Sequence, residues 1–433
     1  MKVDHIEDQI KEHNISWIQL HFTDLTGMLR VVHFPAKQFL ADDIMTNGCG
    51  FDGSSVGLKG VENSDMIALP DKDTFLILPN NQREARIIAD VYDTSFEPCK
   101  IDPRNILKKT IKYACAQGFD DIFISPEMEF FVLSPHQQDT YDLKANNGYF
   151  SPPPMDNAKE FRRKISEMLL QSGINVKYHH HENGRYQHEI EIKPLKAIAA
   201  ADFSMYFKYL ARHIASSEGL QVTFIPKLFE DEAGNGMHAH IKLSKEGKNC
   251  FYDGSDSHRL SESAKWFIGG ILHHAKSIAA FANPTMNSYK RLIPHYEAPL
   301  YIAWGKHNRS SLIRIAAKKN IDIEVRNADP AANPYLFFSA LIYSGLDGIQ
   351  KQISYNPVEK NIYHMSDEEI QQEGIEKLPD NLFEALDSLK QDKELQQFMG
   401  KEFIEAYICN KHEECQQYLR EVSDVDIEFY FNV

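Results

Sequence analysis

The clearest pattern in the chain is an alternation of apolar and charged side chains over short stretches, which predicts β-strands. In residues 121–133 this alternation places Glu127 and Glu129 on the same face of a strand. Similar stretches at 187–193, 237–243 and 321–327 carry Glu189 and Glu191, then His238, His240 and Lys242, and finally Asp322, Glu324 and Arg326 on their polar faces. Strands with one apolar face and one face of this kind predict a sheet that surrounds a polar interior able to bind metal ions.

The rest of the pattern predicts a smaller β-rich region followed by a larger mixed region. In the first region we expect helices at 3–13 and 35–45 and strands at 16–23, 28–34, 74–78 and 85–92. Proline and polar residues at 98–103 interrupt the pattern and mark a boundary. Beyond it, helical spacing predicts helices at 105–117, 157–171, 199–217, 261–281 and 334–352, with more helix after residue 381. This order predicts an α+β fold with antiparallel sheet and two domains, residues 1–103 and 104–433.

Composition indicates which kinds of binding partner and which cellular compartment to expect for this protein. The chain has 433 residues and a formal net charge of −15, so neither a nucleic acid nor an anionic membrane is an expected partner. Its six cysteines include no CxxC pair, which is typical of a reducing compartment. The acidic N-terminus does not resemble a signal peptide, and no apolar run reaches membrane-spanning length. We therefore predict a cytoplasmic protein.

Side chains from the polar faces, with one further glutamate, form a candidate metal-binding set. The set is Glu127, Glu129, Glu182, Glu189, His238 and Glu324. Five carboxylates and one imidazole suit Mg²⁺ or Mn²⁺ better than Zn²⁺. Because six ligands are more than one ion needs, we expect two ions. The run His179–His181 beside Glu182, taken alone, is equally compatible with a surface histidine cluster.

Other features are weaker signals when each is taken alone. The sequence Asp52-Gly-Ser-Ser55 is typical of an ordinary turn, and Gly234-Asn-Gly236 predicts a flexible segment where the backbone approaches a ligand closely. Arginine forks suit carboxylate and phosphate, although a single arginine is more often a surface ion pair. The candidates are Arg291, Arg309, Arg314 and Arg326. The polar, proline-rich loop 135–154 has a length typical of either a disordered segment or a functional lid.

A series of short motifs follows one order along the chain. They are Phe51-Asp-Gly-Ser-Ser55, Pro126-Glu-Met-Glu129, His180-His-Glu182, Gln187-His-Glu-Ile190, Gly236-Met-His-Ala-His240, Asn287-Ser-Tyr-Lys-Arg-Leu292, Tyr296-Glu-Ala-Pro299, Asn308-Arg-Ser310, Ile323-Glu-Val-Arg326 and Asp329-Pro-Ala-Ala-Asn-Pro-Tyr335. In this order they resemble the type I glutamine synthetase family almost from end to end. The resemblance implies an N-terminal β-grasp domain and a catalytic domain with a curved antiparallel sheet flanked by helices. It also implies a homododecamer of two hexameric rings, with active sites between neighbouring subunits.

The resemblance further implies a role for each site residue. Glu129, Glu182 and Glu189 would bind one divalent ion, and Glu127, His238 and Glu324 would bind a second ion nearer the nucleotide. Arg291 would bind the α-carboxylate of glutamate, Arg326 its γ-carboxylate, and the Gly234 backbone its amino-acid end. Arg309 and Arg314 would face phosphate, with Arg309 catalytic, and His240 and Lys242 would face ATP. Asp52 would bind ammonium and accept its proton, and Glu297 would close the site.

The activity implied by the resemblance is ATP-dependent ligation of ammonia to the γ-carboxylate of glutamate through γ-glutamyl phosphate. Two Mg²⁺ or Mn²⁺ ions per site would serve as cofactors, and ATP, glutamate and ammonium would be substrates. Two alternatives stay open at this point. One is a γ-glutamyl amine or polyamine synthetase, and the other is a catalytically silent scaffold with the same fold.

Several positions depart from the usual residues of the resembled family. They are Ala233, Lys242, His295 and Asp322, together with a shorter loop at 316–320. An aspartate beside the phosphates of ATP would repel them. We therefore expect Lys242, Lys318 or Lys319 to compensate the charge of Asp322.

Overall fold

Two β-sheets organise the computed structural model, which describes residues 3–134, 148–294, 296–316 and 321–431. The first sheet belongs to the N-terminal region. Its elements are α1 (Val3–Glu12), β1 (Trp17–Thr23), β2 (Leu29–Pro35), α2 (Ala36–Ala41), α3 (Ile44–Asn47), β3 (Cys49–Asp52), β4 (Asp65–Ile77) and β5 (Glu84–Asp93). The strand order is β2-β1-β5-β4-β3. Strand β1 is antiparallel to β2 and parallel to β5, so the two hairpin-like pairs expected from the pattern join through a parallel contact.

Two predictions for this region were wrong in extent. The single helix expected at 35–45 is divided into α2 and α3 at Asp43, whose φ of 48° is left-handed. The strand expected at 74–78 is the second half of β4, which begins at Asp65. Pairing with β5 shifts register between Asp71 and Leu76, and the polar residues there interrupt the alternation on which the prediction depended.

The second sheet belongs to residues after the predicted boundary. The elements of this region are α4 (Pro103–Ala116), β6 (Asp121–Leu133), α5 (Lys159–Gln171), β7 (Val176–His181), β8 (Gln187–Ile192), β9 (Leu195–Lys196), α6 (Ala197–Ser217), β10 (Gln221–Thr223), β11 (Met237–Lys245), β12 (Lys248–Asn249), α7 (Glu262–His273), α8 (Ala275–Ala282), α9 (Ser288–Arg291), β13 (Tyr301–Lys306), β14 (Ser311–Ile315), β15 (Ile323–Val325), α10 (Pro334–Lys351), α11 (Asp367–Gln372), β16 (Glu376–Lys377), α12 (Leu382–Gln391), α13 (Lys393–Met399), α14 (Lys401–Arg420) and α15 (Asp424–Tyr430). The main order is β16-β13-β14-β15-β11-β6-β8-β7. Its pairs are antiparallel except for β13 with β14.

The register of the central strands brings their polar faces together. Glu127 on β6 lies opposite His238 on β11, and Glu129 lies opposite Glu189 on β8. On the other side of β11, the pairing partner of His240 is Glu324 on β15. The alternation recognised in the sequence therefore places these side chains side by side on neighbouring strands.

The helices bury the apolar faces of both sheets in one continuous core. Four of the expected helices are confirmed within a few residues as α4, α5, α6 and α10. The helix expected at 261–281 is instead two helices, α7 and α8, which meet at His274. The imidazole of His274 contacts Asp347 and Asp392, and these tertiary contacts hold the chain at the junction. The predicted α+β class is confirmed.

The C-terminal end presents apolar side chains to solvent. After α14, the exposed residues include Val422, Val425, Ile427, Phe429 and Phe431. Among the described ranges, no helix has the length and apolar character needed to cross a membrane. The C-terminal segment after α14 therefore carries several exposed apolar side chains close together.

Candidate active site

One half of the predicted metal set surrounds His238. The ligand atoms of Glu127, His238 and Glu324 all lie within 4.8 Å of one another. The Nδ1 atom of His238 is 3.0 Å from Oε2 of Glu127 and 3.8 Å from Oε1 of Glu324. That Glu324 oxygen is buried and has no hydrogen-bond partner among the described residues. A buried carboxylate oxygen that accepts no hydrogen bond can serve as a ligand of a cation.

The other half of the set contains more carboxylate than nearby cation. The ligand atoms of Glu182, Glu189 and His180 lie within 4.8 Å of one another. Glu129 lines the same small cavity as Glu182 and accepts hydrogen bonds from the Gly236 N–H at 2.7 Å and from the side chain of Gln187 at 3.0 Å. These neutral donors orient Glu129 without cancelling its charge.

Electrostatics distinguish the two halves. Burial, with the neighbouring charge of Glu182, raises the pKa of Glu129 to about 8, and burial raises the pKa of Glu182 to about 7. The same causes place the pKa of Glu189 well above its usual range. In the half around His238, burial also favours the neutral acid, but His240 and His238 outweigh it and place the pKa of Glu127 well below its usual range. Among the described residues, Glu129, Glu182 and Glu189 have no lysine or arginine within ion-pair distance, and burial lowers the pKa of the neighbouring His180 imidazole.

A buried guanidinium lies beside the uncompensated half. The Nη1 atom of Arg291 donates to the Asn327 carbonyl at 2.7 Å, and its Nη2 atom donates to the Arg326 carbonyl at 3.4 Å. Within the described residues, Arg291 forms no ion pair with a carboxylate, although its side chain is buried. It lines the cavity together with Glu129 and Ala233. A buried arginine that contacts only carbonyl groups remains available to an external anion.

Two glycines permit this close packing. A side chain at Gly234 would meet the Pro226 carbonyl oxygen at 2.3 Å and the Arg291 Cγ atom at 2.9 Å. At Gly236 it would meet Arg291 at 2.8 Å and Nε2 of His238 at 3.0 Å. The sequence predicted a flexible approach at these glycines. The contacts show instead that they are needed because the metal set and Arg291 pack directly against the backbone.

The remaining arginines contact the His238 half or its rim. Arg314 approaches Glu324, with Nε at 2.6 Å and Nη2 at 2.5 Å from Oε2. Arg326 is buried, lies 3.3 Å from Oε1 of Glu324 through Nε, and donates to the carbonyl groups of Arg309 and Glu297. The Arg309 side chain is exposed. Arg314 and Arg326, predicted to bind phosphate and carboxylate, thus both contact Glu324, a predicted metal ligand.

His240 lies beside Asp322, the carboxylate whose charge the sequence analysis expected a lysine to compensate. Its Nε2 atom lies 2.6 Å from Glu127, and its Nδ1 atom lies 3.0 Å from Asp322. Burial opposes protonation, yet these two carboxylates raise the pKa of His240 to about 10. Lys242 lies over the ring of Phe123 at 5.1 Å. The positions 295, 318 and 319, where the sequence suggested further departures and compensation, lie outside the described residues.

Asp52 and Glu297, the two carboxylates predicted to act on ammonium and the amine, differ in their surroundings. Asp52 is exposed and accepts hydrogen bonds from Ser54 and Ser55, each at 2.7 Å, which hold the pKa of its carboxyl far below the usual range. Glu297 lines the cavity of Glu129 and Arg291 and has a left-handed φ of 63°. The lining residues of that cavity all lie between positions 129 and 297, so it includes no residue of the N-terminal sheet.

Sequence reasoning missed some members of the site. His180 joins the Glu182 half, and Glu191 lies with Glu127 and Glu189 in a third close group. Both positions follow the alternation of their strands, because His180 is two residues before Glu182 and Glu191 is two residues after Glu189. The rings of Tyr149 and Phe150, from the described end of the 135–154 loop, pack on His180. The histidine run is therefore not a surface cluster at this position.

Comparison with known families identifies both regions. The description "Glutamine synthetase, beta-Grasp domain" matches residues 14–94, and "Glutamine synthetase, catalytic domain" matches residues 100–430. The glutamine synthetase of Methanococcus maripaludis is 39% identical over 443 aligned residues that cover 100% of this chain and 99% of that protein. That of Methanocaldococcus jannaschii is 40% identical and covers 98% of this chain and 97% of that protein.

Solved structures agree with these relatives. A GmaS complex with ADP aligns with a TM-score of 0.90 and 29% identity, covering 98% of this chain and 99% of that chain. The electron cryomicroscopy structure of Plasmodium falciparum glutamine synthetase aligns with a TM-score of 0.88 and 27% identity, covering 99% of both chains. The resemblance seen in the motifs is confirmed, and so is the expected β-grasp and catalytic architecture. Over its whole length, this chain belongs to the glutamine synthetase family.

Proposed function

We propose a role for each group of the site in the reaction of the family, the ATP-dependent ligation of ammonia to the γ-carboxylate of glutamate. The chain is a glutamate–ammonia ligase, as its full-length relatives indicate. One observation carries the assignment of the site. The buried carboxylates of Glu129, Glu182 and Glu189 lie next to the buried Arg291, and neither these carboxylates nor Arg291 forms an ion pair with an oppositely charged lysine, arginine or acid of the described residues. This arrangement is complementary to a divalent cation and a substrate carboxylate.

The described residues fit divalent cations. We assign Glu129, Glu182 and Glu189 to one ion and Glu127, His238 and Glu324 to the other, with Mg²⁺ or Mn²⁺ favoured by the oxygen-rich set. The buried Glu324 oxygen that accepts no hydrogen bond from the described residues and the raised pKa of Glu129 suit ligands of a cation. When bound, these ions would neutralise the phosphate oxygens of ATP.

The protein groups orient the two substrates. Arg291 would bind the α-carboxylate of glutamate, with the Gly234 backbone beside its amino-acid end, and Arg326 would bind the γ-carboxylate. Arg309, Arg314, His240 and Lys242 would face ATP. In the structure Arg314 contacts Glu324. When Glu324 binds a metal ion, Arg314 would contact a phosphate oxygen of ATP instead. With charge on the phosphoryl group neutralised, an oxygen of the γ-carboxylate can attack the γ-phosphorus of ATP. The bond from this phosphorus to the bridging oxygen breaks, which gives γ-glutamyl phosphate and releases ADP.

Asp52 and Glu297 would complete the reaction with the amine. The hydrogen bonds from Ser54 and Ser55 keep Asp52 ionised, which suits the binding of ammonium. Glu297 would close the cavity and accept a proton from the tetrahedral intermediate. A covered site would also protect the acyl phosphate from water.

We further propose that the site is completed between subunits of a homododecamer, with domains 1–103 and 104–433. The hydrogen-bond partners found for Asp52 are serines of its own domain, and the cavity lining in the same chain contains no residue of that domain. The Asp52 loop of a neighbouring subunit would therefore supply the ammonium site. The exposed apolar residues Val425, Ile427 and Phe429 support assembly, because such groups are normally covered.

Phosphate release tests this function. Protein with Mg²⁺ or Mn²⁺, ATP and glutamate should release phosphate when ammonium is added. Release only with putrescine, spermidine or an alkylamine would instead indicate a γ-glutamyl amine ligase. No release with any amine, from protein that still forms rings, would indicate the silent scaffold.

A substitution tests the ammonium site separately. Asp52→Ala should raise the KM for ammonium at least about tenfold, because one charge-assisted contact contributes about 1.5 to 3 kcal/mol. The Kd for ATP should stay unchanged. Asp42→Ala, which removes an exposed carboxylate of the same domain, should leave both constants unchanged. Equal losses of ammonium use and ATP affinity in Asp52→Ala would contradict the assigned role.

A further inference from the structure

A second cavity lies away from the metal set and serves none of the roles assigned above. Its volume is about 820 Å³. Its walls come from the β1–β2 turn around Met28, from helix α6, from the segment around Phe224, and from Lys411 on helix α14. The cavity therefore lies between the N-terminal sheet and the helices of the larger region.

One face of helix α6 forms its polar wall. The lining residues from this helix are Met205, Lys208, Tyr209, Arg212 and His213. Their spacing of three and four residues places them on one helix face. Lys208 and Arg212 are four residues apart, and like charges at this spacing destabilise a helix unless an anion lies between them. The helix thus presents two neighbouring cations to the cavity.

Lys208 is a buried cation with little compensation. Its residue is 7% exposed, and its Nζ atom donates one hydrogen bond, to the Ala332 carbonyl at a distance of 3.4 Å. No carboxylate of the described ranges lies within ion-pair distance of it. Burial and the neighbouring charge of Arg212 lower the pKa of Lys208 to about 7, because together they outweigh the opposing charge of Asp329. An ammonium with three donors and one long hydrogen bond is incompletely satisfied.

Arg212 is also without an acidic partner in the part of the chain that the structure describes. Its guanidinium lies 5.2 Å from the ring centre of Phe224. The other cation and anion of the cavity, Lys411 and Glu414, compensate each other at 2.7 Å. In a chain of net charge −15, two uncompensated cations in one cavity are unlike the surrounding surface.

We propose that this cavity binds a small organic anion, whose carboxylate or phosphoryl group lies between Lys208 and Arg212 and whose apolar body contacts Met205 and Phe224. The two cations match a forked anionic group. The apolar wall excludes a free inorganic ion as the best ligand, because much of the cavity surface would then stay unoccupied. This proposal is independent of the roles assigned to the metal set.

The cavity shares backbone segments with the glutamate site. The Pro226 carbonyl accepts from the Asn235 N–H at 2.7 Å, and the Ile225 carbonyl accepts from the Asn235 side chain at 2.9 Å. Asn235 lies between Gly234 and Gly236, which pack against Arg291. Because Ile225 and Pro226 line the second cavity, we expect its occupancy to change the KM for glutamate by about fivefold or more.

Calorimetric titration of the assembled protein tests the site. The probes are phenylacetate and phenyl phosphate, with inorganic phosphate for comparison, and Mg²⁺, ADP and glutamate are kept in excess so that the catalytic site is occupied. We expect one aromatic probe to bind at least tenfold more tightly than inorganic phosphate. Tighter phenylacetate binding identifies a carboxylate ligand, and tighter phenyl phosphate binding identifies a phosphoryl ligand.

Variants locate the binding. Lys208→Met and Arg212→Gln should each weaken the better probe at least tenfold, whereas Arg420→Gln, which removes an exposed positive charge elsewhere, should not. Arg212 is exposed enough that its replacement preserves folding even if Lys208→Met does not. Absence of binding by both aromatic probes overturns the proposal. The proposal is also overturned if wild type and Arg212→Gln bind the better aromatic probe equally tightly, or if wild type binds inorganic phosphate as tightly as that probe.

Discussion

Two buried clusters of carboxylates show how differently one fold treats the same chemical group. Around Arg104, the carboxylates of Asp71 and Asp90 from the N-terminal sheet and Asp202 from helix α6 contact the guanidinium at 2.6 to 2.9 Å. Lys108 adds a second cation at 2.9 Å from Asp71. The contacts lower the pKa of Asp71 to about 2, although burial alone would raise it. This cluster is compensated and joins the two regions.

The carboxylates of Glu129, Glu182 and Glu189 in the metal set are also buried, but no lysine or arginine of the described residues forms an ion pair with them. Burial raises the pKa of Glu129 to about 8, and Glu182 adds to the shift. The nearest guanidinium, that of Arg291, contacts carbonyl groups instead. A cluster in which every carboxylate contacts a cation stabilises the fold, whereas buried carboxylates without such a partner cost stability and suit the binding of an external cation. The presence of a contacting cation, and not the number of acids, distinguishes the Arg104 cluster from the cluster of Glu129, Glu182 and Glu189.

The largest expected effect is the loss of the central cation of the compensated cluster. Arg104→Met should lower the free energy of unfolding by about 3 to 5 kcal/mol, because three buried carboxylates lose their shared partner. Urea unfolding of the assembled protein measures the change. Lys108→Met, at a side chain that is 32% exposed, should cost about 1 kcal/mol or less. Equal costs for the two variants would show that the cluster is not organised by Arg104.

The same isosteric change should have opposite consequences in the two clusters. Glu129→Gln should reduce kcat/KM on the order of a hundredfold, since it removes a proposed metal ligand. In the metal-free protein at pH 9, above the raised pKa of about 8 of Glu129, it should leave the unfolding midpoint unchanged or higher, because it removes a repelled buried charge. Asp90→Asn should lower that midpoint. A lower midpoint for metal-free Glu129→Gln would contradict the description of this cluster as uncompensated.

Added metal ions should stabilise the protein through the cluster of Glu129, Glu182 and Glu189 and not through the cluster around Arg104. With Mn²⁺ at about one hundred times its Kd, wild-type protein should gain about 2.7 kcal/mol of stability. Thermal unfolding with Mn²⁺ or with a chelator measures this increment. Asp90→Asn should keep the full increment and Glu129→Gln should lose most of it. An increment that survives in Glu129→Gln would place the ion elsewhere.

The smallest expected effect concerns another compensated network, centred on His274. Asp392 and Asp347 contact its ring, and Lys351 and His273 lie beside them. Burial opposes protonation, but the carboxylates outweigh it and raise the pKa of His274. Its stabilisation is therefore complete below the unfolded pKa of about 6.5 and is lost as pH rises through the higher folded value.

His274→Asn should accordingly cost about 1 to 2 kcal/mol of unfolding free energy at pH 6 and less at pH 9. Urea unfolding at the two pH values measures the difference. His258→Asn, at a partly exposed histidine near Glu359, serves as the control for the loss of an imidazole and should cost about 1 kcal/mol or less. A cost that is larger at pH 9 would contradict the assigned direction of the His274 shift.

Much of the site was predictable because strand alternation is a local property of the backbone. Glu127 and Glu129 share a face whatever lies beside the strand, and the same argument applies to His238 and His240. Local pattern also indicated the order of elements and the α+β class. The pattern was less reliable at two positions where the apolar spacing continues but the helix ends. At Asp43 the cause is a left-handed backbone conformation, and at His274 it is tertiary contact with carboxylates.

The balance of charge depended on tertiary structure. Nothing in the sequence around Arg104 distinguishes it from Arg291, yet packing surrounds the first with carboxylates and the second with carbonyl groups. The pairing of His240 with Asp322 and the cavity cations of helix α6 are likewise contacts between distant segments. Sequence by itself determined which side chains share a strand or helix face, because backbone geometry repeats locally. Only the tertiary structure decided which of those charges are neutralised, because Coulomb interactions and desolvation depend on neighbours brought together by the fold.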